Sequence, residues 1–163
     1  MARLRANKMP ATDEILISNR QRGRRIDTKL LKTLATWLVS DGLGLAHAEV
    51  GFHLVSATEM ARIHEEFMGI SGSTDVITFD HGSEPPRRIH GEIFIGIDDA
   101  VAQARAFKTT WQSEVTRYVI HGVLHLLGYD DLKPRARTKM KREENRLLRA
   151  AAKNFALADL EKR

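Results

Sequence analysis

The 163-residue chain contains no cysteine. That excludes disulfides and thiolate metal sites, and it suits a reducing compartment. No stretch approaches the roughly 20 apolar residues of a membrane span. The segment from Met1 to Lys8 is basic, with no apolar run behind it, so it does not read as a secretory signal. A soluble cytoplasmic protein is the expectation. Internal repeats and a domain linker are also missing. One domain over residues 1–163, large enough for a sizeable core, is therefore expected.

Charge is distributed unevenly. Residues 1–25 carry seven Lys/Arg and two acids, a balance of +5. Residues 133–163 carry eleven and four, a balance of +7. Residues 26–132 hold eight Lys/Arg against fifteen acids, a balance of −7. Such basic flanks are either solvated surface or a means of attracting polyanions such as RNA.

The apolar pattern gives the element order. A strand is expected at Glu14–Ser18, then a basic loop to Arg25. Asp27 is a candidate N-cap for a helix to about Ser40, with Leu30, Leu31, Leu34, Trp37 and Leu38 on one face. A strand follows from Ala46 to Val55. Ser56 and Glu59 form a capping-box pattern opening a helix to about Met68. Asp75–Phe79 and Ile89–Ile97 read as strands, with Ile93, Ile95 and Ile97 on one face and a Pro/Gly loop between the two strands. Asp98 and Asp99 are expected to cap a helix to about Lys108. A helix over Trp111–Leu127 is apolar nearly all round, so it should be central and buried. Pro134 suits the first turn of a last helix, whose thin apolar stripe includes Met140, Leu147 and Leu148. The fold class is α+β: a small mixed sheet of four strands packed with helices around that central helix.

The central helix also carries the candidate chemistry. His121 and His125 are four apart, so both imidazoles lie on one helical face and can reach one metal ion. Gly128 permits a sharp turn after the helix. The chain can then return Asp131, or Asp130, as a third ligand. Two imidazoles, a carboxylate and an open position describe a catalytic zinc site. The spacing equals that of the extended H-E-x-x-H-x-x-G-x-x-H metallopeptidase motif, but Gly122 stands where that chemistry needs a glutamate base. Glu114, seven before His121, is either a partner orienting an imidazole or a surface acid of the first turn. Thr74 and Asp75, after a Gly/Ser loop, are candidates to line a cleft. His81 and His90 beside the Pro/Gly loop are either ordinary loop residues or contacts to substrate or metal.

His121-Gly-Val-Leu-His125-Leu-Leu-Gly128-Tyr129-Asp130 resembles the signature H-G-x-L-H-L-x-G-Y-D-H of the YbeY endoribonuclease family at ten of its eleven positions. Thr74-Asp75-Val76-Ile77-Thr78-Phe79 resembles the family's T-D-V-L-S-F strand, and Gly91-Glu92-Ile93-Phe94-Ile95 its G-D-I-x-I strand. A last helix with Met140 and Glu143-Glu144 is similar too. The resemblance implies a small α+β fold and a cytoplasmic enzyme that acts in ribosomal RNA maturation and ribosome quality control. Its partners would be ribosomal RNA and the ribosome or its proteins. One zinc ion would be held by His121 and His125, with Asp131 in the place of the third ligand. These three residues would form the catalytic centre.

Two departures stand out. The family's third histidine is replaced by Asp131, whose carboxylate cancels one more unit of the ion's charge. The family's Y-R-G, whose arginine is a phosphate contact, reads Phe67-Met68-Gly69 here. Arg62, Arg87 or Arg88 could stand in for it, and Thr74, Asp75, Arg87 and Arg88 are the candidate substrate-binding residues. Two other readings are a non-catalytic ribosome-associated factor with a structural metal, and a metallopeptidase-like hydrolase.

Overall fold

A computed structural model describes residues 14–163. Arg3, Arg5 and Lys8 of the basic N-terminal flank lie outside that range. The elements are β1 (Glu14–Asn19), α1 (Thr28–Trp37, continued by a π-helical turn), β2 (His47–Val55), α2 (Ala57–Met68), β3 (Val76–Asp80), β4 (Arg88–Gly96), α3 (Ile97–Phe107), α4 (Trp111–Leu126) and α5 (Pro134–Asn154). A short 3-10 turn, Leu157–Leu160, ends the chain.

The sheet order is β1-β2-β4-β3. β1 and β4 flank β2 in parallel, and β3 pairs antiparallel with β4. The sheet is mixed because the βαβ crossovers leave strands parallel while the short β3–β4 connection can only make a hairpin.

The two faces differ. Ile15, Val50, Phe52, Leu54, Ile89, Ile93 and Ile95 point to one face and enter the main core with α1 and α4. On the other face, α2 covers one end through Met60 and Ile63 against Val55, Ile77, Phe79 and Phe94. The period-2 alternation of β2 and β4 is the cause, since successive side chains leave opposite faces.

In α4, Val115, Val119, Ile120, Val123, Leu124 and Leu126 are all buried. Each such burial contributes about 1.5–3 kcal/mol, so α4 is firmly seated. Gly122 faces β4: a Cβ there would lie 2.6 Å from Ile93 Cγ2. Glycine is what lets the helix backbone come this close to the sheet.

Three local expectations are corrected. Asp98 and Asp99 do not cap α3, which starts at Ile97 with Gly96 as its N-cap. Asp98 instead accepts from the Ala57 N–H at the start of α2, at 2.6 Å. The Ser56–Glu59 box is half formed: Ser56 Oγ accepts from the Glu59 N–H at 3.3 Å, but the Glu59 carboxylate pairs with Arg20 at 2.6 Å. The guanidinium brings a full opposite charge to the carboxylate, which a backbone amide does not. Ile97 is buried as expected, but as the first residue of α3 rather than the end of a strand.

Candidate metal centre

The site is built where α4 ends. Gly128 adopts φ +92°, a left-handed conformation that favours glycine. Tyr129 N–H donates to the Leu124 carbonyl at 3.0 Å and Gly128 N–H to that of His125 at 3.0 Å. These are the paired bonds of a Schellman C-cap. The turn reverses the chain and places the Tyr129 carbonyl 3.1 Å from His125 Nδ1. It also returns Asp131 to the histidines, with Oδ2 at 3.6 Å from His121 Nε2 and 3.8 Å from His125 Nε2. Arg137 Nε donates to the Asp131 carbonyl at 3.1 Å and ties this loop to α5. Asp130 points elsewhere: its Oδ1 accepts from Leu132 N–H at 2.9 Å, closing an Asx turn.

The tautomers follow from the partners. A carbonyl only accepts, so His125 Nδ1 carries a proton. Glu144 Oε2 lies 2.9 Å from His121 Nδ1. Burial opposes ionisation of Glu144, yet its bonds from His121 and Arg117 hold its pKa below the ordinary value. As a carboxylate it only accepts, so His121 Nδ1 is also the donor. The neutral rings therefore present Nε2 lone pairs, and these two atoms stand 3.1 Å apart. Together with Asp131 they form a three-acceptor group whose ligand atoms all lie within 4.8 Å of one another. Three converging acceptors with their outer nitrogens already tied fit a bound cation. Among the described residues this is the one such group.

The electrostatics separate the two histidines. Burial works to lower the His121 pKa, but the Glu144 hydrogen bond and the charges of Glu144 and Asp131 outweigh it and hold it above its ordinary value. His125 is lowered, by burial first and then by the neighbouring His121 charge. In the absence of metal the first proton the pair takes up is therefore held mainly on His121.

A cleft of about 250 Å³ opens beside His121. Asp75, Glu114, Arg117, Tyr118, Asp131, Arg137, Met140, Lys141 and Glu144 line it. Of the residues expected to bind substrate, Asp75 is brought to this cleft, whereas Thr74, Arg87 and Arg88 are not part of its lining. Thr74 donates to Asp75 Oδ1 at 3.3 Å. Arg87 and Arg88 sit at the β3–β4 hairpin, where Arg88 donates to the Gly82 carbonyl at 3.2 Å. Arg62 is engaged by Glu66 at 3.0 Å. His81 and His90 lie with His53 and Glu92 along a separate hollow on the opposite face of the sheet. His90 is a β4 residue, not a loop residue.

Glu114 matches neither expectation. It is 5% exposed, and it accepts from Thr109 Oγ1 at 2.7 Å rather than from an imidazole. The carboxylate that orients His121 is Glu144, on α5. Sequence reasoning had no role for it, yet a signal exists. Met140, Glu144, Leu147 and Ala151 are the buried positions of α5, so an acid sits within its apolar stripe. A buried carboxylate there requires partners, and Arg117 at 2.8 Å and His121 supply them.

The sequence model of the family described as Endoribonuclease YbeY matches residues 16–152. The Endoribonuclease YbeY of Anaeromyxobacter sp. (strain Fw109-5) is 36% identical over 137 residues, covering 83% of this chain and 70% of that protein. The protein of the same name from Salinibacter ruber is 30% identical over 135 residues, covering 78% of this chain and 85% of its own length. The solution structure of TM1509 from Thermotoga maritima is similar with a TM-score of 0.67 and 26% identity, over 89% of this chain and 93% of that one. A match across most of the sequence, carried by a shared fold, places the chain: it belongs to the YbeY endoribonuclease family of RNA-cleaving hydrolases.

Proposed function

We propose that this chain is a zinc-dependent endoribonuclease of ribosomal RNA maturation, acting in the cytoplasm as a single hydrolase domain. The observation that supports it most is the 3.1 Å approach of two histidine Nε2 atoms beside Asp131, with both Nδ1 atoms already donating. His121, His125 and Asp131 would hold the ion, leaving a position open as catalytic zinc sites do. When bound, the ion supplies Lewis-acid chemistry toward a phosphoryl oxygen or a water. Glu144 fixes the His121 ring and Tyr129 fixes the His125 ring. Asp75, in the cleft, can accept a hydrogen bond from a ribose 2′-hydroxyl.

A peptidase reading lacks its base. Position 122 faces Ile93 at a distance no Cβ tolerates, so a glutamate side chain has no room there.

The test has two parts. Elemental analysis of purified wild type should give one zinc per chain, and His125→Ala should give none. Structured ribosomal RNA should be cleaved, with chelator stopping it, while a peptide panel is untouched. A wild type free of metal, purified without chelator, would sink the reading. Metal without cleavage of RNA would favour a non-catalytic ribosome factor.

A further inference from the structure

An RNA backbone entering this cleft meets four carboxylates, Asp75, Glu114, Asp131 and Glu144, against three cations, Arg117, Arg137 and Lys141. Phosphate binding there requires positive charge that is not already committed. The three cations differ in this respect. Arg117 is spent: its guanidinium bonds Glu144 at 2.8 Å and Asn145 at 2.9 Å, and it is partly buried. Among the described residues Arg137 has no carboxylate partner, and its Nε alone is used, on the Asp131 carbonyl at 3.1 Å. Its terminal nitrogens remain as donors. Lys141 has neither a hydrogen bond nor an ion pair among the described residues.

Arg137 and Lys141 are four residues apart on α5, so they project from one helical face, one turn from each other. That face is the one turned to the cleft, since Met140 and Glu144 line it too. The Arg137 bond to the Asp131 carbonyl fixes the guanidinium beside the ligand loop. The other arginines considered for phosphate are elsewhere, at the β3–β4 hairpin or paired with Glu66.

We propose that Arg137 and Lys141 form the phosphate-positioning pair of the cleft, gripping backbone phosphates of the RNA beside the scissile one. This rests on the endoribonuclease reading above. Arginine offers a planar fork for two phosphate oxygens, and lysine a point charge one turn along. Neither reads a base, so the grip is indifferent to sequence.

The full chain is used with a labelled single-stranded RNA, measuring dissociation constant against salt and cleavage kinetics. The variants are Arg137→Ala/Lys141→Ala, the charge-keeping Arg137→Lys/Lys141→Arg, and Arg142→Ala. Arg142 is exposed on α5 but does not line the cleft, so it controls for net charge. Each lost phosphate contact removes about 0.7 from the slope of log affinity against log salt for a single strand. The double alanine variant should therefore lose about 1.4 from that slope. Its KM should rise tenfold or more while kcat per bound zinc changes far less, with zinc content measured in each variant because Arg137 also holds the Asp131 loop. The charge-keeping variant should recover most of the slope, and Arg142→Ala should match wild type. A double alanine variant that binds, cleaves and responds to salt as wild type does would overturn the pair and leave the endoribonuclease reading standing. So would an equal loss in Arg142→Ala. A wild type that neither binds nor cleaves RNA would bring down that reading, and the pair with it.

Discussion

His121 and His125 face each other through their Nε2 atoms at 3.1 Å, each ring anchored at Nδ1 by a different acceptor. At that distance the two Nε2 atoms either share a proton or flank a bound cation, because two bare lone pairs would repel. Removing either ring leaves two ligands, which is too few to hold zinc in competition with water. His121→Ala and His125→Ala should each purify without metal and without cleavage activity. Elemental analysis checks the first and RNA cleavage the second. Full metal content in either variant would show that the ion sits elsewhere.

Glu144 should set metal affinity without touching the metal. It orients His121 and raises its basicity, and loss of such a partner typically costs 10–100-fold in affinity. Glu144→Gln should weaken zinc binding by roughly that factor in a chelator competition. Glu114→Gln, a change of equal charge in the same cleft, should leave affinity within a few-fold, because Glu114 engages Thr109 and no imidazole. Equal losses in both would mean that cleft charge, not ring orientation, is what matters.

The element order and the histidine pair were legible in the sequence because both are local. Period-2 alternation marks β2 and β4, and i,i+4 spacing puts His121 and His125 on one face. The partner that orients His121 was not legible, because it comes from 23 positions away in the chain. Glu144 reaches His121 across the α4–α5 packing. Arg137 and Lys141 read as members of a basic flank until α5 is seen against α4. Arg87 and Arg88 were attractive as arginines near a motif, but the hairpin carries them away from the cleft. The choice between Asp130 and Asp131 turned on an Asx turn, in which Asp130 satisfies the Leu132 amide and leaves Asp131 to the histidines.

That geometry separates the two aspartates by experiment. Asp131→Ala should lose most bound zinc, and Asp130→Ala should keep it with a small stability loss from the opened turn. Asp131→His would replace an anionic ligand with a neutral one and leave more of the ion's charge to acidify water. Where it retains metal, its cleavage should reach half-maximum at a lower pH than in wild type. Zinc content and a pH–rate profile are the measurements. An Asp130→Ala variant without zinc would reverse the assignment.

Gly122 is a packing residue, and alanine should not fit. Helix propensity alone would make Gly122→Ala stabilising by up to about 1 kcal/mol. Against that, its Cβ would lie 2.6 Å from Ile93 Cγ2 and 2.8 Å from Cδ1, inside a fully buried contact. Overpacking of this kind costs about 1–3 kcal/mol. The clash should win, lowering Tm by several degrees. Ile93→Ala in the same chain should be less harmful than it is alone, giving a negative coupling in the double-mutant cycle. A Gly122→Ala protein as stable as wild type would show that α4 can shift away from the sheet.

Protons and metal should compete for His121. Its pKa is raised above the ordinary 6.5, against burial, by Glu144 and Asp131. In metal-free protein the protonated His121–Glu144 pair therefore adds stability that is fully present below about pH 6.5 and is lost as pH rises through the raised value. Metal requires the neutral ring, so its contribution runs the other way. His125 is lowered, so as pH rises His121 is the ring that holds its proton longer, and that proton must leave before metal binds. Zinc affinity should then rise about tenfold per pH unit until the raised value is passed, then level off. The melting-temperature gap between zinc-loaded and chelated protein should widen over the same range. Glu144→Gln should move the levelling point to lower pH, because it removes what raises His121. Competition titrations and melting curves from about pH 6 to 8 test this around the imidazole range. An affinity flat with pH would mean that His121 is already neutral before the metal arrives.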